Sequence, residues 1–439
     1  MIDIKRIRET PDIVKKAARD KNLPFDVDQV LELDNRRRAL ETEWNNLRHE
    51  QRTAGEQIAK ASKEEKAALS QAMGKLKGRL KGLEEQRQQA DAELQELMLL
   101  APQIPHPEAP IGPDASGNVE VRRVGTPPAA DRFGDSFKDH VDLGEALRLF
   151  DVERGVKLAG SRNYVLTGAG AELHEAVLRL AWDIMLSRSF EPPAQPGRKL
   201  QFVPLTVPAL VNNSLMYGTG FFPLHREEVY ICERDDQALV GTAEVPVTGL
   251  HGDEILPAEE LPRLYFARST CFRREAGAGG KDTRGLYRIH FFDKIEQVVV
   301  CRADADEAAF WHEVIVSNAE AVLTALELPY RVVEVCTGDM GQSKFRMYDI
   351  ETWMPSRGDY SETHSASSFH DFQARRLNLR YRDEASGKPE FCYTLNNTVV
   401  ASPRILIPLL EMNQNADGSI TIPAALRKYL SGRERIGGA

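Results

Sequence analysis

An α+β protein, with a mostly antiparallel sheet flanked by helices behind a long antiparallel α-helical coiled-coil arm, is what three features of the sequence predict. These are a seven-residue repeat through the first hundred residues, a proline-rich break after it, and a succession of short β-rich stretches beyond. Leu69, Leu76, Leu83, Ala90 and Leu97 recur every seven residues, with Met73, Leu80 and Leu94 on the second seam position and Arg87 interrupting it. Upstream, Leu33, Leu40, Leu47, Ala54 and Ala61 form a matching series with Val30, Trp44 and Ile58, broken by Arg37 and Gln51. Two seams joined by the polar stretch SKEEK (62–66) predict one helix folding back on another. At about 1.5 Å per residue each helix of roughly 33 residues reaches about 50 Å, so the pair projects as an arm.

The break, PQIPHPEAPIGPDASG (102–117), is too proline-rich for helix or central strand and reads as a linker between an arm-bearing segment, 1–101, and a larger domain, 118–439. In that domain AELHEAVLRLAWDIMLSRSF (171–190) is apolar at helical spacing. The stretches QFVPLTVPALV, YFARSTCF, YRIHFFDKIEQVVV, MYDIETWMP and FCYTLNN read as strands. Few helical patterns separate them, hence the antiparallel expectation.

Composition narrows the chemistry. With 57 basic and 66 acidic residues the chain carries a net charge of −9, which argues against a general nucleic-acid coat but leaves room for a local basic surface. Residues 30–101 contain equal numbers of basic and acidic side chains, and KLKGRLK (75–81) gathers Lys75, Lys77, Arg79 and Lys81 without an acid. Such a stripe suits a phosphate backbone; a dimerisation rod is the alternative reading. The five cysteines form no CxxC pair, which favours reduced thiols over disulfides or zinc. With no signal-like start and no apolar run of about 20 residues, a soluble cytoplasmic protein is expected. Neither GxxxxGK[ST] nor a strand–GxGxxG–helix unit occurs, so a P-loop or Rossmann nucleotide site is not supported.

The segment CFRREAGAGGKDTRGLYRIHFFDKIE (271–296) reads as two strands around a glycine-rich connection, with Arg273 and Arg288 on the strands. There a guanidinium fork is held ready for an anion. A salt-bridged surface hairpin is the plainer alternative.

This hairpin resembles the second signature motif of class II aminoacyl-tRNA synthetases, and FRREAG, DTRGLYRIH and FDKIE resemble the version in the seryl-tRNA synthetase family. VPALV with Pro208, MYGTGFFP (216–223), GTAEVP (241–246), ETHSASSFHDFQARR (362–376) and TLNNTVVASPRILIPLLE (394–411) extend the resemblance over essentially the whole chain. It implies ATP-dependent attachment of L-serine to tRNA-Ser, and to tRNA-Sec where one is present, through a seryl adenylate. By resemblance Arg273 bridges the α-phosphate and the serine carboxylate, while Arg288 and Arg404 clamp the triphosphate. Glu275 meets the adenine edge and Phe292 stacks under the ring. Glu362 and Ser365 match the Mg2+ ligands, and Thr242, Glu244, Glu296, Asn396 and Thr398 match the serine pocket, with Glu296 on the hydroxyl and Thr398 closing it. The resemblance also implies a homodimer built on the first motif, with tRNA held by the arm. Arg274, Phe291, Ala366 and the ASPR ending depart from the commoner pattern. A paralogue passing activated serine to a carrier protein or small molecule is the competing function; the intact arm speaks against it.

Overall fold

Two short helices, α1 (Ile4–Glu9) and α2 (Pro11–Asp20), precede the heptad-bearing pair, α3 (Val27–Lys60) and α4 (Lys63–Leu99). The computed structural model describes residues 1–129, 132, 136–276 and 284–438, and its chain divides into two units, Met1–Pro102 and Gln103–Ala439. In the first unit Leu47, Leu80 and Leu83 are buried together with Leu40, Trp44 and Leu76 around them, so the predicted seam is the contact between α3 and α4. The interruptions have local causes. Arg87 reaches Glu41 and Glu84 at 2.8 and 2.9 Å and lies over the Trp44 ring, spanning the seam with its stem while its charge is paired. Arg37 pairs with the buried Asp34, which also receives Arg8 of α1 at 3.0 Å. SKEEK differs from expectation: Ser62 is the N-cap of α4 and forms a capping box with Glu65, so most of this stretch is helix and not connection. Lys75, Lys77, Arg79 and Lys81 are exposed on α4, with Arg79 2.7 Å from Glu43.

The second unit is organised by one eight-stranded sheet. Its strands are β1 (Val119–Val124), β2 (Val203–Leu205), β3 (Arg263–Phe272), β4 (Phe291–Cys301), β5 (Tyr330–Glu334), β6 (Arg346–Met354), β7 (Asp359–His370) and β8 (Tyr393–Ser402). They lie in the order β1-β5-β6-β7-β8-β4-β3-β2, and every pair is antiparallel except β2 with β3. Helices α5 (Ala169–Ser187), α7 (Ala305–Ala325) and α9 (Leu406–Met412) share the core on one face, and α6 (Glu244–Gly249) and α8 (Phe372–Leu377) pack against the other. Trp311 and Ile315 of α7 and Val177 of α5 share one core with Ile295, Val299, Ile350 and Leu395. Burial of side chains this size contributes about 1.5–3 kcal/mol each.

Period two then decides where chemistry can sit. On β4 the core takes Ile295, Val299 and Cys301, and the alternating residues Phe292, Lys294 and Glu296 line a cleft instead. One expectation needs correction: Arg273 and Arg288 lie just beyond the strands, since β3 stops at Phe272 and β4 begins at Phe291. Pairing continues for one step, Arg273 N–H donating to His290 O at 2.9 Å, and Glu275 at φ 52° then turns the chain away from strand geometry. The glycine-rich tip, 277–283, lies outside the described residues.

Candidate active site

Every residue that the resemblance assigns to ATP, serine or metal lines one cleft of about 440 Å³ over the side of β4, β7 and β8 away from α5 and α7. At one end the Arg273 guanidinium lies 5.2 Å over the Phe292 ring. Arg288 meets Glu275 at 2.6 Å. Arg404 precedes α9, but its guanidinium does not cap that helix: it donates to Tyr287 O at 3.2 Å and Glu362 O at 3.3 Å, and stacks 4.5 Å over the Tyr287 ring. Three arginines from three separate segments thus converge on one opening, which suits a polyanion. Three of the departures fall outside the lining: Phe291 stacks on Tyr164 on the core side at 4.8 Å, and Arg274 and Ala366 are not among the lining residues, whereas the ASPR ending contributes Ala401 and Arg404 to it.

The other end is narrower and more deeply buried. A β-bulge makes it possible: along β4 and β8, Ile295 pairs with Val400 but Glu296 pairs with Thr398, so Val399 is skipped. That shift sets Thr398 Oγ1 to donate to Glu296 Oε2 at 3.4 Å. Lys294, two residues before Glu296 and on the same face, forms a buried ion pair with it. Across the pocket Thr242 Oγ1 accepts from Glu244 N–H at 3.2 Å, at the start of α6. The Glu244 carboxyl is pushed up to about 7, by burial first and then by the charge of Glu296.

Sequence reasoning missed the residues that support this pocket from behind. Gln373 on α8 donates to Glu244 Oε1 at 2.7 Å and to Thr219 O at 3.1 Å, while Arg376 donates to Tyr217 O at 2.9 Å and Phe222 O at 3.2 Å. Burial brings the Arg376 guanidinium down to about 10. Gly218 belongs to the same joint: a Cβ there would sit 2.3 Å from Leu377 Cδ2. MYGTGFFP and HDFQARR therefore serve each other, a pairing no local pattern announces. Lys294 lay within the quoted FDKIE, and its spacing from Glu296 was the available signal.

A cleft of this polarity on an antiparallel sheet, with arginines at one end and paired carboxyls at the other, is what a class II synthetase core presents. Residues 228–413 match the tRNA synthetase class II core domain (G, H, P, S and T), and residues 1–105 match the seryl-tRNA synthetase N-terminal domain. The serine–tRNA ligase of Deinococcus radiodurans is 46% identical over 437 residues, covering 100% of this chain and 99% of the relative; that of Rubrobacter xylanophilus is 42% identical over 100% of both. The seryl-tRNA synthetase of Pyrococcus horikoshii, solved in complex with ATP, superposes with a TM-score of 0.89 at 36% identity over 100% of each chain. The cytoplasmic enzyme of Naegleria fowleri, solved with AMP, gives 0.84 at 28% over 99% of this chain and 98% of that one. The chain belongs to the seryl-tRNA synthetase family, the ATP-dependent serine–tRNA ligases.

Proposed function

We propose that the cleft makes seryl adenylate from ATP and L-serine and that the bound intermediate then acylates tRNA-Ser. One observation carries the assignment of roles: the residues matched to nucleotide, metal and amino acid, drawn from distant parts of the sequence, line a single cleft. In the first step a serine carboxylate oxygen attacks the α-phosphorus, and the bond to the bridging oxygen of pyrophosphate breaks. No general base is required, because the nucleophile is already ionised; the difficulty is bringing two anions together. Arg273 serves both anions at once. Arg288 and Arg404 hold the outgoing phosphates, with Arg288 exchanging its Glu275 partner for phosphate as Glu275 turns to the adenine edge. Phe292 supports the ring from below.

Mg2+ fits the donor set. Glu362 and Ser365 offer hard oxygens on the cleft, and Asp349, paired with Ser365 across the sheet, is buried with Oδ1 unpartnered among the described residues. Its carboxyl is raised well above the usual range by burial and then by Glu362, a repulsion that a divalent cation relieves. Glu362 and Ser365 would hold the ion, which when bound neutralises phosphate charge.

At the serine end Glu296 and Thr398 take the hydroxyl, with Thr242, Glu244 and Asn396 around the amino and carboxylate groups. The arm holds the tRNA by phosphate contacts through Lys75, Lys77, Arg79 and Lys81, and the active species is a cytoplasmic homodimer. Among the described residues no helix is long and apolar enough to cross a membrane. A tRNA-Sec with the same long variable arm fits the same mode of binding.

Serine-dependent exchange of pyrophosphate into ATP tests the site. Arg273→Ala should lower the exchange rate by about a hundredfold or more, the usual cost of removing a preorganised donor at the reacting group, with an unchanged thermal melt. A folded Arg273→Ala enzyme with near-normal exchange would overturn the assignment.

A further inference from the structure

We infer that Lys294 is a specificity-determining residue of the serine pocket, fixing the charge and position of Glu296 so that this carboxylate can hold the substrate hydroxyl. The inference deepens the proposed role of Glu296 and rests on it. Lys294 and Glu296 are only 5% and 2% exposed, and their side chains leave the same face of β4 as neighbours. Lys294 Nζ meets Glu296 Oε2, the same oxygen that accepts from Thr398 Oγ1. Two donors from two strands thereby fix one carboxylate oxygen.

The pocket contains a second acid, and a site with two neighbouring carboxyls must decide which of them keeps the charge. Lys294 supplies that decision. Its ammonium lies against Glu296, whereas the neutral amide of Gln373 faces Glu244 at 2.7 Å. Lys344 also lines the cleft and pulls the Glu244 carboxyl down, but burial and Glu296 outweigh it and leave that group at about 7. Unequal environments for paired acids are the usual means of giving them different duties. Here Glu296, with its counter-ion built in, serves a neutral hydroxyl without demanding a cation from the substrate. An amino acid lacking that hydroxyl leaves the buried pair partly unsatisfied, which is a large penalty.

The test uses full-length Lys294→Met, Glu296→Gln and the double variant in serine- and alanine-dependent pyrophosphate exchange, with circular dichroism as the check on folding. Lys294→Met is expected to raise KM for serine about tenfold or more, the worth of a hydrogen bond to a charged group, while KM for ATP stays within about twofold. Alanine-dependent exchange should be unchanged, so the preference for serine narrows by the same factor. In the Glu296→Gln background the lysine change should add less than about threefold, because Lys294 acts through Glu296. A Lys294→Met enzyme with KM for serine within about twofold of wild type, beside an impaired Glu296→Gln, overturns the inference alone. A normal KM in Glu296→Gln overturns the reading of Glu296 itself. If Lys294→Met does not fold, the double variant, which removes both buried charges, decides: a further tenfold loss, roughly, over Glu296→Gln counts against the lysine acting through its partner.

Discussion

Glu244 is a pocket acid whose chemistry its surroundings change strongly. An ordinary glutamate titrates near 4.5, and this one is pushed up to about 7 by burial and by Glu296. The sign of the consequence is fixed: below about pH 7 the folded enzyme carries Glu244 increasingly protonated, above it ionised. If the ionised form meets the serine ammonium, KM for serine rises as pH falls through 7, approaching about tenfold per unit at the acid end. Glu244→Gln should flatten that slope while raising KM at neutral pH. Measuring KM for serine between about pH 5.5 and 8 checks both; a level wild-type profile would mean that Glu244 binds serine as the neutral acid.

Periodicity made the long elements legible, and contact between distant segments made the rest illegible. The heptads announced α3 and α4 because a seam repeats its demand every seven residues, and the hairpin announced β3 and β4 through alternation. Their ends were less clear: Ser62 and Glu65 look like loop residues until they are recognised as a capping box, and the strands stop short of Arg273 and Arg288 because Glu275 turns the chain. The candidate site residues were assigned through motif resemblance. Gln373, Arg376 and Gly218 were not given roles, since their meaning lies in a joint between segments some 150 residues apart. The basic stripe on α4 belongs to this scale. Changing Lys75, Lys77, Arg79 and Lys81 to glutamine should weaken tRNA-Ser binding and reduce the slope of log affinity against log salt by about 0.9 for each phosphate that is no longer neutralised. Adenylate formation should not change, because no residue assigned to ATP or serine precedes Thr242. Filter binding over a salt series, run beside pyrophosphate exchange, reads both. An unchanged salt slope would return the arm to the role of a structural rod.

At the scale of the whole molecule, the sheet ends on one side in a strand too short and too apolar to face water alone. β2 has three residues, pairs with β3 on one edge only, and carries Val203 at 50% exposure. Leu186 near the end of α5 is 44% exposed, and Val156 and Leu158, close in sequence to the residues that pack on α5, are 43% and 77% exposed. Leu158 also lines a cavity of about 600 Å³ with Tyr164, Leu166 and Phe291. Helix α5 and the chain running through β2 toward Pro208 are the segments that resemble the family's first motif, and both carry exposed apolar residues, Leu186 and Val203. An open sheet edge with apolar neighbours is a liability that a two-fold related copy removes, the same patch serving both subunits. A homodimer is therefore the expected species, with an obligate interface well above about 1,000 Å². Light scattering at micromolar concentration should return twice the 49.2 kDa chain mass. Charges placed on two of these exposed residues, Val203→Asp with Leu158→Asp, should shift the protein toward monomer and lower its melting temperature, since the exposed edge then has no cover. A wild-type protein of monomer mass, or a double variant that keeps both the dimer mass and the melting temperature, would place the interface elsewhere and leave this face without an explanation.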